Sequence, residues 1–298
     1  MRNKILKIFP LVLVIILAGC KQTVDSAKPQ VYASFYAMAQ FAEEIAGDRA
    51  QVHTLIPQGG ESHDYEPTAR DLKNVLNADV FVYNGNGMEG WSKDFINTIS
   101  EGRAIIVEAS DGIPVKFDDS DLQSASDPQS ASDPHVWLDP DNALYEMEQI
   151  KNALVKADAE NAEYYEGNYK KAEKKIADLK IQLSVYFKSG TGVVVTHPAY
   201  GYLFNVLGLR QIPIENSDEH SDPSPSRIIE IAEQMKKENI NCVFYEKYGS
   251  DKIAQAVAAE NGARVRELDS FEMGDGKSDY FEVMDKNCRT LMREINGI

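Results

Sequence analysis

The sequence predicts an α/β protein of two βα lobes with mainly parallel sheets, joined by one long rigid helix. Three observations lead there. From Val31 onward, short apolar runs alternate with amphipathic stretches at helical spacing, the pattern of βα units. The alternation halts at a stretch rich in Glu, Lys, Ala and Leu over 158–188 and then resumes. The chain of 298 residues also has room for roughly two domains of about 150 residues each.

The first lobe is read over 31–157. Residues 31–34 form a strand, followed by a helix to about 46, and 52–56 is the next strand. A helix over 67–76 carries Pro67 near its first turn, where the missing N–H costs nothing. Strands at 79–83 and 104–107 flank a helix at 91–99. The second lobe, 189–298, repeats the order. Its strands are 193–196, 211–214, 242–245 and 264–268, its helices 200–206, 226–237 and 252–260, and an amphipathic helix at 280–295 closes the chain. Between the lobes, Ile176, Leu179 and Leu183 recur at helical spacing with Lys and Glu on the other faces. One helix over 158–188 would be about 45 Å long, a strut that limits how far the lobes swing, with Gly167 its weak point.

Ahead of the lobes, Arg2 and Lys4 precede an apolar run from Ile8 to Ile16 that is too short to span a bilayer and suits a signal peptide. The run ends Leu17-Ala18-Gly19-Cys20, which resembles a bacterial lipobox. That implies removal of 1–19, lipidation of Cys20, a polar tether over 20–30, and a place on the outer face of the bacterial cell membrane. Cleavage would remove Arg2, Lys4 and Lys7 and shift the formal charge from −16 to −19. Such an acidic chain is not a nucleic-acid partner, and its field concentrates cations. Cys242 and Cys288 fall in a strand and a helix; a disulfide and two buried thiols both remain open. No CxxC spacing suggests a thiolate site. The hexapeptide QSASDP occurs twice in tandem over 123–134 and reads as an exposed loop.

Five histidines occur, so each can be placed. His63 falls in the turn after the second strand, His135 after the first lobe's last strand, and His197 directly after 193–196. Asp269 follows 264–268 in the same way. All four lie past strand ends, the edge where open α/β sheets bind ligands. Two facing lobes would therefore bring three imidazoles and a carboxylate to one cleft, a donor set that suits tetrahedral zinc. His53 sits within a strand and reads as structural. His220, in the acidic loop 216–225, reads as a solvated histidine that could assist metal capture.

The lipobox, Gly60-Glu61-Ser62-His63-Asp64-Tyr65-Glu66-Pro67, Asn86-Gly87-Met88-Glu89-Gly90-Trp91 and Asp133-Pro134-His135-Val136-Trp137-Leu138-Asp139-Pro140 together resemble the zinc/manganese solute-binding lipoproteins of ABC importers, known as cluster A-I or cluster 9. Thr196-His197-Pro198-Ala199-Tyr200, Asp222-Pro223-Ser224-Pro225 and Leu268-Asp269-Ser270 fit too. The resemblance implies metal ligands at His63, His135 and His197. For the fourth it allows Asp269, Glu272 or water, and Asp269 is preferred because a strand end is held rigidly. Manganese receptors of the family place a carboxylate where this chain has His197, so the resemblance is to the zinc type. It implies Zn2+ rather than Mn2+, a monomer, and an ABC permease with its ATPase as partners. Zinc-specific relatives often carry a histidine-rich loop, whereas the tandem repeat here contains none.

No catalytic turnover is expected. The rival reading is a zinc hydrolase with an open fourth position, although HExxH is absent. A third reading is a surface adhesin active in cell adhesion. Because neutral imidazoles are needed for ligation, affinity should fall as pH drops through about 6.

Overall fold

Period-two alternation within the strands decides how the layers stack. The computed structural model describes residues 28–63, 65–114, 133–184, 187–215 and 223–297. In the first lobe, β1 (Gln30–Ala33), β2 (Gln51–Thr54), β3 (Val80–Tyr83) and β4 (Ile105–Glu108) form a parallel sheet in the order β2-β1-β3-β4. Val31, Ala33, Val80 and Val82 enter one core, while Phe81 and Tyr83 enter a separate cluster behind the sheet. In the second lobe, β5 (Thr191–Val195), β6 (Leu209–Pro213), β7 (Cys242–Glu246) and β8 (Arg264–Leu268) repeat the arrangement as β6-β5-β7-β8, again all parallel. Val193, Val195 and Phe244 face the first core, and Val194 and Val243 face a third. Each sheet is therefore buried on both faces, as parallel sheets require.

Helices cover the outer faces lobe by lobe. Val75 of α2 (Ala69–Leu76) and Phe95 and Ile99 of α3 (Ser92–Ile99) back the first sheet. Ile231 and Met235 of α7 (Pro225–Glu238), with Val257 of α8 (Lys252–Ala259), back the second. The inner layer is common to both lobes. It holds α1 (Tyr36–Ala46), α4 (Pro140–Ala157), α5 (Ala162–Leu183), α6 (Gly201–Leu207) and α9 (Tyr280–Leu291), whose apolar faces join one continuous core.

Three details depart from the sequence expectations. Pro67 lies ahead of α2 rather than in its first turn; the cap is Thr68, whose hydroxyl accepts from Asp71 N (3.3 Å) while Asp71 Oδ2 accepts from Thr68 N (2.8 Å). The helix α4 was not anticipated, although Asp139 as cap and Pro140 in the first turn are its start signal. The linking helix is shorter than 158–188. Asp158 leaves α4 with a non-helical backbone (φ −142°, ψ 72°) and accepts from Asn161 Nδ2 (2.7 Å) and the Tyr165 hydroxyl (2.8 Å), so a 3-10 turn at Ala159–Asn161 precedes α5. At 22 residues α5 is about 33 Å long. Its stiffness comes from packing: Tyr165, Ala172, Ile176, Leu179 and Leu183 are all buried in the common core.

Cys242 and Cys288 are buried free thiols rather than a disulfide. His53 is structural, stacked on Tyr32 (ring centroids 4.7 Å apart) with Nε2 3.1 Å from Gln30 Oε1. Cys20, the signal and tether segments through residue 27, most of the tandem repeat and His220 lie outside the described residues. No described helix is long and apolar enough to cross a membrane.

Candidate metal centre

Both sheets reverse their strand order between the first and third strands of the lobe, the switch point at which α/β sheets leave a crevice past their carboxyl ends. The sequence-predicted histidines converge there. His63, His135, His197 and Glu272 each offer one ligand atom, and these atoms all lie within 4.8 Å of one another. His135 Nε2 and His197 Nε2 are 3.4 Å apart. Glu272 Oε2 is 3.8 Å from both His63 Nε2 and His135 Nε2. A tetrahedral zinc shell with bonds near 2.0–2.1 Å sets its ligands about 3.3 Å apart, so the four would draw together by at most about 1.5 Å to close around one ion.

Each donor is held by its neighbours. His197 follows β5 by two residues, and the intervening Thr196 N–H stays on the sheet by donating to Phe244 O (2.9 Å). His135 opens a buried 3-10 turn at Val136–Leu138. Asp133 Oδ1 takes its Nδ1 at 2.8 Å, which orients the ring and leaves Nε2 facing the cluster, the usual carboxylate support of a ligating imidazole. The Asp133 segment is itself pinned: Asn86 Nδ2 donates to Asp133 O (2.9 Å) and Asn84 Nδ2 to Pro134 O (3.0 Å). Buried Glu89 in turn fixes that loop by accepting from Asn84 N (2.9 Å), Gly85 N (3.0 Å) and the Ser34 hydroxyl (2.6 Å). These supports were not singled out from the sequence: Asn86, Glu89 and Asp133 were noted only as parts of motifs, and Asn84 was not noted.

The preference for Asp269 is corrected in favour of Glu272 as the carboxylate in the cluster. Asp269 is spent on other partners: Oδ2 accepts from Lys247 Nζ just past β7 (2.8 Å) and Oδ1 from Phe271 N in its own loop (2.9 Å). That second bond stabilises Phe271 at φ 60°, a left-handed backbone that costs a non-glycine residue roughly 1–3 kcal/mol. The reversal turns the chain so that Glu272, three residues on, reaches the histidines. Its other oxygen, Oε1, accepts from Ser62 N (3.3 Å) beside His63, so the carboxylate spans both lobes.

The electrostatics of the cluster suit a cation. Burial works against the charge of Glu272, yet the His135 hydrogen bond and the charges of His63, His135 and His197 hold its carboxyl well below the ordinary range. Burial also disfavours the His135 imidazolium. The bonds to Asp133 and Glu272 outweigh it and push this imidazole up to about 10. A metal on Nε2 would replace that proton.

Comparison with known proteins agrees with this geometry. The family of the zinc-uptake complex component A, periplasmic, matches residues 31–294. The high-affinity zinc uptake system protein ZnuA of Bacillus subtilis is 34% identical over 297 residues, covering 93% of each chain. The zinc-binding protein AdcA of Streptococcus pyogenes serotype M1 is 31% identical over 98% of this chain, which spans 61% of that longer relative. Among solved structures, the Zn(II)-bound ZnuA-like domain of Streptococcus pneumoniae AdcA superimposes with a TM-score of 0.77 at 27% identity, covering 90% of this chain and 99% of that one. The laminin-binding protein Lbp of Streptococcus pyogenes gives 0.76 at 28% identity, covering 91% of this chain and all of the other. With the match running through both lobes and across every element that carries a donor, the chain belongs to the family of the periplasmic component A of zinc-uptake complexes.

Proposed function

We propose that this chain is an extracytoplasmic receptor that captures Zn(II) on His63, His135, His197 and Glu272 and delivers it to an ABC-type importer. One observation carries the reading: three imidazoles and one carboxylate, drawn from both lobes, gather their ligand atoms within 4.8 Å. Imidazole nitrogen with a single carboxylate favours zinc over manganese, which prefers oxygen-rich shells. Four protein donors would also fill a tetrahedral shell and leave no position for the activated water a zinc hydrolase needs. Release then depends on docking to the permease and its ATPase rather than on turnover. Lipidation at Cys20 would keep the receptor at the outer face of the membrane.

Metal analysis of purified protein, followed by competition between zinc and manganese, tests this. One equivalent of zinc retained against a large manganese excess is expected. Preference for manganese would reject the zinc assignment. Likeness to the laminin-binding protein favours a second reading, cell adhesion. Adhesion to laminin that survives loss of all three histidines would make it an activity separate from metal capture.

A further inference from the structure

We propose that Trp137 is a positioning residue that fixes the gap between the two halves of the metal centre and so sets how long the metal is retained; this rests on the zinc reading above. Trp137 is fully buried and lies two residues after His135 in the 3-10 turn. Its indole Nε1 donates to Ser270 O at 2.8 Å, and Ser270 lies two residues before Glu272. Its own carbonyl accepts from the Tyr280 hydroxyl of α9 at 2.7 Å. A single residue of the first lobe thus makes two buried hydrogen bonds to the second, one of them at equal sequence distance from a donor in each lobe.

The ring is boxed as tightly as its polar atom. Its centroid lies 5.3 Å from that of His135 and 5.0 Å from that of Phe35, just beyond β1. Across the gap, Phe271 packs edge-on against Tyr36 (5.0 Å), whose hydroxyl donates to Ser278 O (2.9 Å). The indole N–H has one direction, and among the described residues its acceptor is Ser270 O. If the 269–272 loop withdrew by an ångström or more, a buried donor and a buried carbonyl would both lose their partner, a costly state. Parting the lobes to free a metal therefore strains or breaks the Trp137 bond. We therefore place the effect of this bond on departure of the metal more than on its arrival.

Chelator-driven release of zinc, followed by stopped flow, distinguishes this from a merely structural role. Trp137→Phe keeps an aromatic ring and removes the donor along with part of the buried volume, whereas Tyr280→Phe removes only a hydroxyl. Zinc release about tenfold faster is expected, with association changed by no more than about twofold. Tyr280→Phe, which removes the second bond and preserves the ring, should accelerate release in the same direction by a smaller factor. Should Trp137→Phe fail to fold, Tyr280→Phe decides alone. Unchanged release from the folded variants, whatever their melting temperatures, would overturn the inference while leaving the receptor reading intact. A wild-type protein that retains no zinc would overturn both.

Discussion

The two lobes share one strand order but present their donors differently. In the second lobe, His197 needs only the sheet: it stands two residues past β5, and the strand's own ladder carries Thr196 between them. In the first lobe, both histidines stand on loops well past their strands, and rigidity comes from side chains. Glu89 holds the 84–85 backbone, Asn84 and Asn86 hold Pro134 and Asp133, and Asp133 holds the His135 ring. Glu272 combines both devices, since it follows β8 closely but reaches the cluster only through the reversal at Phe271. A repeated scaffold therefore does not imply a repeated way of building a site. A strand end supplies position directly, while a loop must be given it by buried hydrogen bonds.

The comparison is broken or sharpened most strongly at the two acidic residues of the second lobe. Glu272→Ala should weaken zinc binding by more than about a hundredfold, because it removes the charge that neutralises the ion, whereas a supporting residue costs about 10–100-fold. Asp269→Asn should fall within that lower range, acting through the Phe271 turn. Calorimetry on both variants checks this, and equal losses would mean that Asp269 is more than a loop staple.

Next in size is the change of metal. His197→Glu puts oxygen where the second lobe now offers nitrogen, and competition binding should show the zinc-to-manganese preference falling by about tenfold or more. No change in that ratio would reject His197 as the determinant. The first-lobe supports have their own readout. Asn86→Ala leaves every donor in place and frees the Asp133 segment, so zinc affinity should drop by roughly tenfold while manganese selectivity stays put.

Protons come next. With its folded-state value pushed up to about 10 from an ordinary 6.5, His135 is charged in the metal-free protein at pH 8 and must be neutral when ligated. Zinc binding at pH 8 should therefore release about one proton, measurable by calorimetry in buffers of different ionisation enthalpy. Affinity should begin to fall below about pH 10, rather than only through the pH of about 6 expected of ordinary imidazoles. The sign for stability follows. Folding takes up a proton on His135 between the unfolded and folded values, so its contribution to the metal-free protein is present below about 6.5 and is lost as pH rises toward about 10.

The smallest effect concerns a carboxyl outside the site. Glu146 of α4 is fully buried, neither carboxylate oxygen has a hydrogen-bond partner among the described residues, and burial, then the Glu89 charge, raise it well above 4.5. Folding must keep it protonated, so its presence weakens the fold increasingly as pH rises above about 4.5. Glu146→Gln should raise the melting temperature more at pH 8 than at pH 5. An equal shift at both would place the proton elsewhere.

Much of this was legible in the sequence because it rests on local pattern. Alternating apolar runs disclosed all eight strands found among the described residues, since a sheet buried on both faces needs them continuous. The three histidines could be found because each follows a strand, and five in the whole chain leave few combinations. What escaped depends on long-range contact. The start of α5 was misjudged because Asp158 is turned out of helix by Asn161 and Tyr165. Asp269 was preferred because a strand end is rigid, which it is; nothing local announces that a phenylalanine will adopt φ 60° and carry the next carboxylate into the cluster.

The most direct test is a crystal structure of the protein loaded with one equivalent of zinc, with the metal located by its anomalous signal. The account predicts a single tetrahedral ion bonded to His63, His135, His197 and Glu272, with Asp269 still on Lys247. Zinc bonded to Asp269, or seated without one of the three histidines, would contradict it.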